Sequence, residues 1–158
     1  MAAVTNSRVA FVDLYPVRLA VGGLEALTLR RAAPVRCAGA WEAVHGSIEA
    51  GELPAGAALR ELREETGLAP ERLYNLSRVE SFYQHPSDEL IFIPVFVAVV
   101  GHAPVTLSRE HDAFEWLPIT VARERLAWPR ERRALEDIIV LLPNGEAGAL
   151  EDVLRIEE

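Results

Sequence analysis

Hydrophobic positions along the chain follow two periods, one typical of strands and one typical of helices. Runs rich in aliphatic and β-branched residues, bounded by glycine, proline or polar turn residues, predict strands. The predicted strands are residues 8–17, 24–30, 37–44, 73–83, 90–100 and 113–117. Gly22 and Gly23 mark the turn between the first two strands, and residues 85–88 mark the turn between the fourth and fifth.

Helical spacing of apolar residues occurs in three segments, residues 55–66, 119–127 and 131–142. In the last segment Leu135, Ile138, Ile139 and Leu142 recur three and four residues apart, while residues 143–148 and the acidic tail are predicted to be loose. Because the strands come mostly as hairpins with helices between them, we expect an α+β fold, an α/β/α sandwich with a mixed sheet between helices. Residues 1–158 have the length of one domain.

Composition and charge limit the classes of partner that this protein is expected to bind. The formal net charge of −8 argues against binding a nucleic-acid polymer, because that binding depends on clustered Lys and Arg. The longest apolar run contains Pro94 and is too short to span a bilayer, so we expect no membrane partner. The first residues lack the pattern of a secretion signal, so we expect a cytoplasmic location. Cys37, the only cysteine, excludes an internal disulfide and is predicted to be a small buried residue.

Three carboxylates cluster on the helix predicted at residues 55–66. At 3.6 residues per turn, Glu61, Glu64 and Glu65 fall within roughly 100° of one another. Like charges at this spacing repel, so a cation is expected beside them, and hard carboxylate oxygens suit Mg²⁺ or Mn²⁺. The alternative is a solvated amphipathic helix in which Arg60 pairs with Glu64.

Residues 46–68 resemble, position for position, the Nudix box of the MutT-like Nudix hydrolases, GX5EX7REUXEEXGU with U an aliphatic residue. The resemblance implies that Glu61, Glu64 and Glu65 are metal ligands, with the Gly46 carbonyl as a further one. It also implies an ion pair between Glu52 and Arg60, and attack by water on a diphosphate linkage in a nucleotide-like substrate. Either Glu64 or Glu110 is the expected general base, and Glu110 is also a candidate metal ligand.

The substrate is less clearly indicated. Residues 41–52, 110–111 and 114–117, together with Trp128 and residues 132–136, loosely resemble the dihydroneopterin triphosphate pyrophosphohydrolases. His45 and the residues between 73 and 102 depart from that pattern. Nucleoside or pterin triphosphates are therefore the expected substrate class. The substrate-binding candidates are the aromatic residues Trp41, Tyr83 and Trp128 and the basic residues Arg30 and Arg31.

Two alternatives stay open on the sequence. Tyr83 lies near the position of a tyrosine in diadenosine polyphosphate hydrolases, so such dinucleotides are a second substrate class. A noncatalytic Nudix-fold sensor that binds a nucleotide is the competing class of protein, but a sensor has no need of all three helix glutamates. The sequence also leaves open whether the chain is a monomer or a homodimer.

Overall fold

A computed structural model describes residues 4–157, and in that range nine strands form one mixed sheet. The strands are β1 (Asn6–Val9), β2 (Phe11–Ala20), β3 (Gly23–Arg31), β4 (Trp41–Glu42), β5 (Val44–Ser47), β6 (Arg72–Gln84), β7 (Glu89–Val99), β8 (His111–Pro118) and β9 (Arg155–Ile156). The α-helices are α1 (Pro54–Thr66), α2 (Ile119–Arg125), α3 (Pro129–Leu141) and α4 (Glu151–Leu154), and short 3₁₀ turns cover His85–Ser87 and Gly148–Leu150.

The longest path across the sheet runs β4-β3-β2-β7-β6-β9, with β1 paired to β7, β5 to β2 and β8 to β3. Strands β1 and β2 both run parallel to β7, and the other pairs are antiparallel. The sheet is therefore mixed, as the sequence predicted.

Alternation along the central strand β2 separates two cores, because successive side chains of a strand point to opposite faces. Val12 and Leu14 belong to a core that contains the buried residues of α1, whereas Tyr15 and Val17 belong to a core that contains those of α2 and α3. Helices thus pack on both faces of the sheet. This confirms the predicted α+β fold, an α/β/α sandwich.

Helix α1 begins and ends where its sequence favours it. Pro54 occupies its first turn, where a missing backbone N–H costs nothing, and Gly67 ends it in the left-handed conformation with φ 73°. The N-cap residue, Leu53, offers no side-chain hydrogen bond, so the helix depends on its packing. Leu62 is fully buried on this helix, which contributes about 1.5–3 kcal/mol.

Three local predictions are wrong. Residues 37–44 do not form one strand, because Cys37 lies exposed in a turn with φ 58° and the chain pairs only in the short strands β4 and β5. Residues 8–17 are divided at Ala10 into β1 and β2. The tail beyond Gly148 is not loose, since β9 pairs with β6.

Within residues 4–157, no helix has the length and apolar character needed to cross a membrane.

Candidate active site

The guanidinium group of Arg60 connects α1 to the loop that precedes it. It donates two hydrogen bonds of 2.9 Å to Glu52 and one of 2.8 Å to the carbonyl oxygen of Ser47. The hydrogen bonds from Arg60 lower the pKa of Glu52 to about 2. The predicted ion pair is present, and it fixes the loop against the helix.

The same guanidinium also contacts two of the helix glutamates. Arg60 donates to Oε1 of Glu61 at 2.9 Å and to Oε2 of Glu64 at 3.2 Å. The pairing of Arg60 with Glu64, which the amphipathic-helix alternative predicted, therefore coexists with the Glu52 pair. The other carboxylate oxygen of each glutamate has no hydrogen-bond partner among the described residues.

Gly46 lies directly against the carboxyl group of Glu61. A Cβ atom added at Gly46 would stand 2.0 Å from the Glu61 Cδ atom, far inside any allowed contact. Only glycine lets the loop backbone approach the helix carboxylate this closely. The predicted backbone ligand and the first predicted side-chain ligand are thus adjacent.

Glu65 is the least compensated charge of the site. Its side chain is 2% exposed, and both carboxylate oxygens are buried without a hydrogen-bond partner. Burial raises the pKa of Glu65 well above its ordinary value, and the charges of Glu61, Glu110 and Glu42 raise it further. Buried carboxyl groups are normally paired, so this one indicates a missing cationic partner.

The donor set fits a divalent cation. Glu65 offers two free oxygens, and Glu61 and Glu64 each offer one that Arg60 does not bind. Across residues 4–157, no three acidic, histidine or cysteine side chains stand in a ready-made metal centre, and Arg60 occupies one oxygen of Glu61 and one of Glu64. The two unpaired oxygens of Glu65 are hard donors of the kind that Mg²⁺ prefers.

Glu42 at the end of β4 and Glu110 just before β8 complete the acidic cluster, since the charges of both act on Glu65. The exposed residue Glu110 is held at the end of β3, where its carbonyl oxygen accepts a hydrogen bond of 2.9 Å from the Ala32 N–H. Glu42 is buried and accepts hydrogen bonds from Arg31 at 3.0 and 3.1 Å and from His111 at 3.2 Å. Burial raises the pKa of Glu42, but the bonds from His111 and Arg31 outweigh it and leave the pKa below its ordinary value.

A cavity of about 1030 Å³ adjoins this cluster on the face that packs against α3. Arg31 and Glu42 line it and also act electrostatically on Glu65, so they join the cavity to the acidic cluster. Its volume is at the upper end of the range for small-molecule sites. The flat and basic residues of its lining are Phe11, His45, Phe82, Tyr83, His85, Trp128, Arg31, Arg36, Arg130 and Arg133.

A buried polar network supports one wall of the cavity. Asp13 is fully buried and accepts hydrogen bonds from Arg130 at 2.8 and 3.3 Å and from His45 at 2.7 Å. Burial raises the pKa of Asp13, but the bond from His45 and the charge of Arg130 outweigh it and lower the pKa overall. Glu131, which follows Arg130 in the chain, is fully buried and accepts a hydrogen bond of 2.7 Å from the Ala43 N–H.

The substrate-binding candidates separate into two groups. Arg31, Tyr83 and Trp128 line the cavity. Arg30 and Trp41 lie outside its lining. Arg30 instead pairs with Asp112 at 2.7 Å. The guanidinium groups of Arg30 and Arg125 lie over the Trp41 ring. No motif predicted Asp13, His45, Arg130 or Glu131; the one available signal was a carboxylate inside the apolar run 11–15.

The fold and the site together define a small α/β/α protein with an acidic, cation-suited cluster beside an aromatic cavity. The NUDIX domain matches residues 16–138, and the chain belongs to this family. The prediction of a MutT-like Nudix family member is confirmed.

One relative shares substantial sequence identity. A protein of Myxococcus xanthus named octanoyltransferase is 39% identical over 106 residues, which are 62% of this chain and 28% of that protein. The chain therefore corresponds to less than a third of that relative's length.

Three solved structures show the similarity in fold. A putative NUDIX hydrolase of Listeria monocytogenes has a TM-score of 0.72 at 24% identity, over 87% of this chain and 96% of that one. The Ap4A hydrolase of C. elegans has a TM-score of 0.68 at 21% identity, over 84% and 96%. The E. coli dihydroneopterin triphosphate pyrophosphohydrolase has a TM-score of 0.65 at 24% identity, over 82% and 94%. These likenesses establish the fold.

Proposed function

We propose that this protein is a Mg²⁺-dependent hydrolase that cleaves a diphosphate linkage in a nucleoside or pterin triphosphate or a related nucleotide derivative, with Mn²⁺ as the alternative ion. The observation that carries the proposal is the buried, partnerless carboxyl group of Glu65, placed beside a cavity with flat aromatic walls. The acidic side suits a cation bound to phosphate, and the aromatic side suits a planar base.

The residues that would hold the ion are Glu61, Glu64, Glu65 and Glu110, with the carbonyl oxygen of Gly46. A bound Mg²⁺ supplies a positive charge that stabilises phosphoryl oxygens and acidifies a water molecule. Arg60 would position the ligands indirectly, because it fixes the loop before α1 against the helix that carries the glutamates.

Glu64 and Glu110 are the candidate general bases. Glu64 is 54% exposed and Glu110 is also exposed, so a water molecule reaches either carboxylate. Glu65 is poorly suited to this role, because its carboxyl group is buried. A proton taken from water by either exposed carboxylate can pass directly to solvent.

At the cavity, Arg31 bridges the two halves of the site. It lines the cavity, and its positive charge partly opposes the burial and the neighbouring carboxylates that raise the pKa of Glu65. A phosphate chain that extends from the planar group towards the glutamates would pass this guanidinium group. Similarity in fold to an Ap4A hydrolase and a dihydroneopterin triphosphate pyrophosphohydrolase supports both a dinucleotide and a pterin triphosphate as substrates.

The test is hydrolysis by the purified protein in Mg²⁺ of dihydroneopterin triphosphate, the common nucleoside triphosphates, ADP-ribose and diadenosine tetraphosphate, followed by phosphate and pyrophosphate release. Glu64→Gln should lower turnover of the best substrate by at least two orders of magnitude, because it removes both a metal ligand and a candidate base. Glu124→Gln is the matched control, since that side chain is 72% exposed on α2.

Three outcomes count against the proposal. Turnover by Glu64→Gln equal to that of the unaltered protein would remove the assigned role of that residue. Hydrolysis that continues at full rate in EDTA would show that the reaction does not require the metal ion. Binding of a nucleotide with no turnover of any substrate would favour the noncatalytic sensor.

A further inference from the structure

His45 brings an imidazole to the cavity wall from β5, the strand that also contains Gly46. In the antiparallel pair of β2 and β5, Asp13 and His45 are directly opposite, and their side chains meet on the cavity face. The His45 Nδ1 atom lies 2.7 Å from Oδ1 of Asp13. The position of this ring is therefore set by the register of two paired strands.

The Asp13 contact decides which nitrogen of the ring carries the hydrogen. Arg130 donates to both oxygens of Asp13, and a buried carboxylate held in this way is an acceptor only. His45 Nδ1 must then be the donor, and in the neutral ring Nε2 keeps its lone pair. Within residues 4–157, Nε2 has no hydrogen-bond partner and is not among the buried unsatisfied atoms.

The plane of the ring is also fixed. Phe11 stacks on His45 with ring centroids 5.1 Å apart and an angle of 24°, and Phe82 packs against Phe11 at 6.3 Å. The His45 side chain keeps 27% of its surface exposed. A flat aromatic wall thus carries one hydrogen-bond acceptor in a fixed direction.

We propose that His45 is a specificity-determining residue of this site, selecting a planar base or pterin that presents an N–H donor on its edge to the Nε2 atom. Asp13 acts as the positioning residue for this acceptor. The inference rests on the proposed function in one respect only, which is that the cavity receives the planar group of the substrate.

The test measures equilibrium binding of nucleoside 5′-monophosphates, which contain no diphosphate linkage, so the result does not depend on hydrolysis. Two pairs differ by one edge N–H group: adenosine against purine riboside monophosphate, and guanosine against inosine monophosphate. In the pair that binds more tightly, the ligand with the extra donor should bind about 2- to 12-fold better, the ratio given by a net hydrogen bond of about 0.5–1.5 kcal/mol.

The His45→Phe variant keeps a flat ring to stack on Phe11 but removes the acceptor, so the ratio should fall to about one. His102→Phe is the matched control, because His102 is exposed and bonds to the Leu19 carbonyl oxygen outside the cavity. A ratio that survives in His45→Phe overturns the inference. So does a ratio of one in the unaltered protein, or failure of all four ligands to bind.

A spectroscopic measurement covers the case in which His45→Phe does not fold. In ¹⁵N-histidine-labelled protein in mildly alkaline buffer, His45 should show the form protonated at Nδ1, and Nε2 should shift when the ligand with the extra donor binds. Asp13→Asn should release this preference between the two nitrogens. A ring protonated at Nε2 in the unaltered protein contradicts the proposal, whether or not the protein hydrolyses any substrate.

Discussion

Glu131 makes the stability of this protein depend on pH in a direction that one substitution can reveal. Its carboxyl group is fully buried in the first turn of α3, and Oε1 has no hydrogen-bond partner. Burial, followed by the charge of Asp13, raises the pKa of Glu131 to about 8, against the opposing effects of the Ala43 N–H and Arg130. Glu131→Gln keeps an oxygen for the Ala43 N–H and cannot ionise.

The direction of the pH dependence follows from the number of protons that the folded and unfolded states bind. Near neutral pH the folded protein keeps Glu131 protonated, whereas the unfolded chain, with a pKa near 4.5, does not. The stabilisation by this group is therefore complete below pH 4.5 and is lost as the pH rises through about 8. Each pH unit in this window contributes about 1.4 kcal/mol, so between pH 4.5 and pH 7 the loss is about 3 kcal/mol.

The assay is urea unfolding of both proteins across this pH range. The free energy of unfolding of Glu131→Gln should equal that of the unaltered protein within about 1 kcal/mol near pH 4.5 and exceed it by about 3 kcal/mol at pH 7. Glu136→Gln, on the same helix but 55% exposed, should give no pH-dependent difference. A Glu131→Gln difference that stays constant from pH 5 to pH 8 would refute the reasoning.

Two further predictions concern the acidic cluster. Gly46→Ala would place a Cβ atom 2.0 Å from Glu61 Cδ, so turnover should fall by about tenfold or more and the melting temperature should drop, as measured by substrate hydrolysis and thermal unfolding. Glu65→Gln should raise the melting temperature in EDTA near neutral pH, because it removes a buried charge whose pKa is raised, and it should reduce the rise that Mg²⁺ produces. A melting temperature for Glu65→Gln below that of the unaltered protein in EDTA would contradict the second prediction.

Strongly patterned elements were predictable to within two residues. Helix α1 starts only one residue before the predicted segment. The prediction is this close because Pro54 and Gly67 mark the two ends of the helix in the sequence itself. Strand β7 was predicted from its long apolar run, and β6 as its partner across the polar turn at residues 85–88. The two-residue strand β9 was not, since its pairing with Leu73 and Tyr74 is a tertiary contact that no local period reveals.

The candidate site divides in the same way. Residues within the box, such as Arg60 and Glu61, follow from spacing on one helix. Arg130 was missed because it meets Asp13 across 117 positions of sequence, and only the packed sheet brings them together. A charged residue amid the apolar positions of β2 was the available hint, as a carboxylate there must find a partner when buried.

The alternation of side chains along β2 gives the cavity wall and the support of the glutamate-bearing helix separate positions in the chain. Phe11 and Asp13 contribute to the cavity side, while Val12 and Leu14 support the helix that bears the glutamates. Exchanging Phe11 would therefore alter the cavity wall and leave the contacts of α1 in place. Under the proposed function, the choice of substrate could change by a single substitution while the helix that carries the predicted metal ligands stays intact.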